Sequence, residues 1–173
     1  MNIAYTIGLK TGETDLLLAN VAHALLGKGH MLAGTVQVNS DRVDCRGCDM
    51  DVLVLPDGPT IRISQSLGKN AKGCRLDPSA LEDAVAVTSK KLAEGADLLI
   101  VNKFGKHEAS GRGFRDIIAQ ALEQNIPVLV GTNRLNEAAF LEFVGDDACK
   151  LTPSANRCLN WFLEAIDPSK KAG

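Results

Sequence analysis

The sequence predicts an α/β fold: a three-layer α/β/α sandwich around a mostly parallel sheet, with a small β-hairpin insertion. Three observations carry this. Leu98–Val101 and Val128–Gly131 are short and apolar at nearly every position, as a strand buried on both faces requires. Such runs alternate with longer segments whose apolar residues recur at helical spacing. Pro56-Asp57-Gly58-Pro59 then separates two strand-like runs with the turn chemistry of a hairpin.

In chain order, Ile3–Ile7 reads as a strand, Gly8–Gly12 as a glycine-bounded loop, and Thr14 onward as a helix. Leu17, Val21 and Leu25 form that helix's inner stripe, and Gly27 and Gly29 stop it. Leu32–Val38 is a second strand. Residues 41–51 are a polar, cysteine-bearing insertion, and Asp51–Leu55 and Thr60–Ser64 are the arms of the hairpin. Asp77-Pro78 opens a helix with an N-cap acid and a proline at the first helical position, and Leu81, Val85, Thr88 and Leu92 line its inner face. The strand Leu98–Val101 is expected to break at Asn102 into a charged loop. A helix follows with Phe114, Ile117, Ile118, Ala121 and Leu122 on one side. After Val128–Gly131, residues Leu135–Val144 read as helical. Thr152-Pro153 is expected to cap a last helix with Leu159, Phe162, Leu163 and Ile166 inward. One domain over residues 1–167 and a frayed polar tail over 168–173, opened by Pro168, complete the expected organisation.

A chain of 173 residues with 45% hydrophobic and 23% charged residues can build a full core. A net charge of −2 and 4% aromatic residues argue against nucleic acid as a partner, by bulk attraction or by base stacking. No apolar run approaches the roughly 20 residues of a membrane span. Without a basic, then apolar, leader at Met1–Lys10, and with an odd count of 5 cysteines, a soluble cytoplasmic protein with free thiols is expected. A homo-oligomer is left open.

Four features carry chemistry. Gly8-Leu9-Lys10-Thr11-Gly12-Glu13-Thr14 stands between a strand and a helix, where a P-loop holds phosphates on backbone N–H groups. It departs from Gly-x-x-x-x-Gly-Lys-Ser/Thr: one residue is missing between the glycines, and Glu13 replaces the lysine. Lys10 can reach in from the loop, and Thr14 keeps the hydroxyl that ligates magnesium; a plain strand-to-helix turn is the alternative. Asn102, Lys103, Lys106, His107, Glu108 and Arg112 cluster after a buried strand, where open α/β sheets place ligands. A neutral Asn102 is a weak magnesium ligand, and Lys103 can meet a phosphate instead. The segment from Thr60 to Leu76 carries Arg62, Lys69, Lys72 and Arg75 without an acid, suiting either an anion or a solvated loop. Cys45-x-x-Cys48, with Cys74 and His30, lacks the second pair of a zinc site, so no metal centre is assigned. Cys149 and Cys158 are expected in or near the core.

The stretch Asp97–Phe114 resembles the Walker B region of small P-loop nucleoside triphosphatases of the cancer-related and archaeal kind. Gly105, Lys106 and Glu108 match it; Asn102 and Lys103 depart from its acidic pair. Over most of its length the chain resembles a bacterial family known as a domain of unknown function. The resemblance rests on Cys48-Asp49-Met50, Gly73-Cys74-Arg75-Leu76-Asp77, and Asn102-Lys103-Phe104-Gly105-Lys106-x-Glu108 with Gly111-x-Gly113-Phe114-Arg115. It implies a degenerate P-loop fold and a setting near molybdate-transport genes, hence an oxyanion or molybdenum role as one option. Three functions follow. The first is binding of a small anionic ligand (nucleotide with magnesium, phosphate or oxyanion) by Lys10, Thr11, Gly12, Thr14, Asn102, Lys106, Arg112, Arg62 and Arg75, with poor turnover. The second is a phosphohydrolase or transferase using Lys103 and Glu108 as catalytic groups. The third is a cysteine-based metal, oxyanion or redox sensor.

Overall fold

The structure, a computed structural model, describes residues 2–40, 49–65, 76–145 and 147–167. Its sheet has seven strands in the order β4-β3-β2-β5-β6-β1-β7. These are β1 (Ile3–Thr6), β2 (Leu32–Ser40), β3 (Asp49–Leu55), β4 (Thr60–Arg62), β5 (Leu98–Phe104), β6 (Val128–Thr132) and β7 (Cys149–Leu151). The run β2-β5-β6-β1-β7 is parallel, and β3 and β4 add an antiparallel hairpin at one edge.

The apolar strand residues face two ways, as the pleat requires. Ala4, Leu98, Ile100 and Leu129 pack with Leu18, Val21 and Leu25 of helix α1 (Glu13–Gly27) and Cys158 and Phe162 of α6 (Ala155–Ile166). Ile3, Leu99, Val101, Val128 and Val130 face Leu81 and Leu92 of α2 (Pro78–Ala93), Ile117 and Ile118 of α4 (Arg115–Glu123), and Phe140 of α5 (Glu137–Val144). Both faces are covered, which is why the central strands are apolar at consecutive positions.

The hairpin forms at Pro56-Asp57-Gly58-Pro59, behind a cis Leu55–Pro56 bond, with Val54 N–H donating to the Pro59 carbonyl at 3.1 Å. Asp77 caps α2 as expected, its Oδ1 accepting from the N–H groups of Ser79 at 3.0 Å and Ala80 at 3.2 Å. Replacing it with alanine should lower stability by about 1 kcal/mol, read as a shift of the urea midpoint at constant m-value.

The structure corrects several expectations. β5 does not break at Asn102; it runs to Phe104, through a register shift between Val101 and Phe104. Phe104 is drawn inward by Phe140 and Phe143, with ring centroids 5.3 and 6.1 Å away. The supposed loop beyond it contains a helical turn, α3 (Lys106–Ala109). α5 begins at Glu137 rather than Leu135, because the Asn133 side chain accepts the Asn136 N–H at 3.0 Å and ends the preceding turn. α6 is entered through Ser154 rather than Thr152-Pro153. β7 was not expected, and it carries Cys149 to an exposed sheet edge, whereas Cys158 is buried. Most of the cysteine insertion, the basic segment through Arg75 and the tail 168–173 lie outside the described residues.

Candidate functional site

The chain leaves β1 for α1 on one face of the sheet, but leaves the neighbouring strand β6 for α5 on the other. Loops that part in opposite directions open a crevice at the carboxyl ends of their strands, where α/β sheets take ligands. Here it is a hollow of about 760 Å³, lined by Ile7–Gly12, Thr14, Asp15, Gln37, Met50, Asn102, Lys103 and Thr132–Leu135. Lys10 and Lys103 thus share one cavity, although β6 separates their strands. Arg134 joins them, and among the described residues Asp15 is the one lining carboxylate. Leu9 and Leu135, 76% and 92% exposed, form an apolar rim.

The glycine loop is closed upon itself. Gly8 N–H donates to Thr14 Oγ1 at 2.8 Å, and the N–H groups of Leu9 and Lys10 both donate to Glu13 Oε2, the second at 3.0 Å. The floor is another internal network. Asn102, 3% exposed, donates from Nδ2 to Asp15 Oδ1 at 2.9 Å and accepts the Gln37 N–H at 2.9 Å. Gln37 Nε2 donates to Asp15 Oδ2 at 3.4 Å. Asn102 therefore ties β2 and β5 to α1. An anionic group fits Lys10, Lys103 and Arg134, the cations among the described lining residues. A magnesium ion fits poorly: Asp15, the one carboxylate among the described lining residues, already accepts on both oxygens, and Asn102 is neutral.

Residues 3–161 match the model of a family described as a protein of unknown function, DUF2478. The chain belongs to the DUF2478 family. It is 38% identical over 161 residues to the molybdenum import ATP-binding protein ModC 2 of Bradyrhizobium diazoefficiens. That match takes in 92% of this chain but 18% of the relative, so the chain spans less than a fifth of it. Two solved structures are similar. THEP1 from the hyperthermophile Aquifex aeolicus has a TM-score of 0.65 at 16% identity, covering 93% of this chain and 95% of its own. A human cancer-related nucleoside triphosphatase also has a TM-score of 0.65, at 14% identity over 100% of both chains. At such identities the likeness establishes the fold alone, an α/β architecture shared with these two proteins.

The other described residues that the sequence singled out in this DUF2478 chain lie away from the hollow's lining. Glu108 is 2% exposed, and its Oε2 accepts the Gly105 N–H at 2.9 Å while Oε1 accepts that of Phe114 at 3.5 Å. Burial pushes its carboxyl above the usual carboxylate range, against the opposing pull of these N–H groups. Lys106 and Arg112 are exposed on the α3 segment. Beside them His107 Nε2 and the Gly113 N–H meet Glu82 Oε1 at 2.8 and 3.0 Å, and His107 chiefly holds Glu82 below its ordinary value. Arg62 pairs with Asp51 at 2.9 Å on the hairpin, and Arg75 lies outside the described residues. Among the described residues no group of three or more His, Cys, Asp or Glu is placed to hold a metal; His30 instead meets Asp97 at 3.6 Å and the edge of Phe162. Sequence reasoning missed Arg134, Asn133 and Gln37. The signal for Asn133 and Arg134 was position alone, directly after β6, whereas Gln37 lies inside β2 and had none.

Proposed function

We propose that this chain binds a nucleotide in the crevice between β1 and β6, inside the cell, and turns it over poorly. The observation that carries the reading is the convergence of Lys10, Lys103 and Arg134 on one hollow at the carboxyl ends of parallel strands. Positive side chains in a crevice favour a phosphate-bearing ligand. The size of the hollow, within the usual range of about 300–1,000 Å³ for small-molecule sites, and its leucine rim favour a ligand with an apolar body over a bare oxyanion. The ATP-binding relative and the nucleoside-triphosphatase fold support the same class. Poor turnover rests on the absence of a lysine at Glu13 and of an acid at Asn102, groups that position and neutralise a transferring phosphate. A transferase using Lys103 and Glu108 is less favoured, since both Glu108 oxygens accept buried backbone N–H groups. The reading takes residues 1–167 as one domain.

A thermal-shift series over ATP, GTP, phosphate, sulfate and molybdate tests it. A nucleotide at 100 times its dissociation constant should add about 2.7 kcal/mol of stability. Lys103→Ala and Arg134→Ala should each weaken nucleotide binding about tenfold, in line with loss of one charge-assisted hydrogen bond. Stabilisation by molybdate alone, or nucleotide affinity unchanged in both variants, would reject the reading.

A further inference from the structure

The loop shaped to receive an anion already holds one. Leu9 and Lys10 point successive backbone N–H groups at a single atom, Glu13 Oε2, and Lys10 N stands 3.0 Å from it. Adjacent amides directed at one point make an anion-binding nest. The nest lies at the start of α1, where the helix dipole adds to its attraction for negative charge. Both residues also line the hollow. The atom seated there is a carboxylate oxygen, chemically close to the terminal oxygen of a phosphate.

We propose that the Leu9–Lys10 nest is an oxyanion subsite kept shut by the chain's own Glu13, and that a phosphate-class anion reaches it only by displacing that carboxylate. The inference deepens the nucleotide reading, resting on it only for which molecule brings the anion. Glu13 acts in two ways. It uses the N–H groups that an incoming oxygen requires, and its charge repels that oxygen until the side chain swings out. In the closed state an anion in the hollow still meets the side chains of Lys10, Lys103 and Arg134, but without the amides of Leu9 and Lys10. Glu13 thus sets how tightly the site holds small oxyanions, which lack the additional contacts a larger ligand can offer in exchange.

The test is a titration of the full-length, nitrogen-15-labelled chain with inorganic phosphate, followed on its backbone amides, in wild type, Glu13→Ala and Glu13→Gln. Glu13→Ala should bind phosphate at least about tenfold more tightly, the scale of a charged hydrogen-bonded pair, and the Leu9 and Lys10 amide signals should move on binding. Glu13→Gln keeps the side-chain length at the helix start and should shift the same two amides with a smaller gain, so it decides the matter if the alanine variant does not fold. Two results overturn the proposal: no gain in phosphate affinity, or a gain that leaves those two amides still, as loss of charge alone would produce. Nucleotide binding is scored separately. If ATP binds neither wild type nor variants while phosphate moves the two amides in Glu13→Ala, the nucleotide reading fails and the closed subsite stands.

Discussion

Gly34→Ala should destabilise the fold by about 3–5 kcal/mol, the range reserved for a forced clash at a special backbone position. Gly34 lies in β2 between β3 and β5, paired with Leu55 on one side and Ile100 on the other. Its φ of 119° is one that L side chains rarely adopt, and a Cβ there would stand 1.8 Å from the Ile100 carbonyl oxygen and 2.8 Å from the Ile100 nitrogen. No rotamer relieves this, because both contacts are backbone. The β2–β5 ladder must shift, and with it the ends of the two strands that carry Gln37, Asn102 and Lys103. Against a total stability of about 5–15 kcal/mol for a domain, the loss should lower the melting temperature by roughly 10 °C or more. Gly29→Ala is the control. Its φ is 84°, also positive, but a Cβ would meet nothing within 4 Å, so only the local backbone cost of about 1–2 kcal/mol remains. Equal losses in the two variants would show that close strand approach is not what Gly34 provides.

The fold was legible wherever a local pattern carries the long-range consequence. Leu98–Val101 and Val128–Gly131 are apolar without alternation because helices cover both faces, and that state of burial is written in the residues themselves. Asp77-Pro78 and Pro56-Asp57-Gly58-Pro59 act through their nearest neighbours and were readable for the same reason. β7 was not, since three residues with one buried side chain hold no periodicity. Lys103 misled the reading of β5: an exposed lysine between Asn102 and Phe104 looks like a loop, yet it is one outward position of a strand whose neighbours are buried. The site was half legible. The Lys10 loop and the end of β5 that carries Lys103 announced themselves by glycine and charge. Arg134 did not, because the crevice arises where α1 and α5 depart to opposite faces, and strand order is settled by packing across the whole chain. Glu108 shows the converse. A motif supplied its place, and only the packing around it supplied its surroundings.

Glu108→Ala should lower stability by about 2 kcal/mol or more, since each buried N–H left without its partner costs about 1–3 kcal/mol. The two at stake, on Gly105 and Phe114, bracket the α3 turn, and the carboxylate is the clasp that joins them. Relief of a desolvated charge offsets part of the loss, and that offset depends on pH. Burial raises the Glu108 pKa above its ordinary 4.5. Between the ordinary value and the raised one, the unfolded chain has lost the proton while the folded chain keeps it. Wild-type stability attributable to this group is therefore greatest at acid pH, falls as pH rises through that window, and levels off once the folded group ionises. Glu108→Gln, which cannot ionise, should remove this slope while still filling the space. A denaturation series over pH on wild type, Gln and Ala variants reads all three effects. The assignment of Glu108 as a catalytic base predicts something different: an alanine variant with wild-type stability that lacks only turnover. That outcome would detach Glu108 from the architecture and return it to the chemistry, whereas a loosened α3 segment with a vanished pH slope would fix it as the residue that holds the Gly105–Phe114 turn in place beneath Lys103.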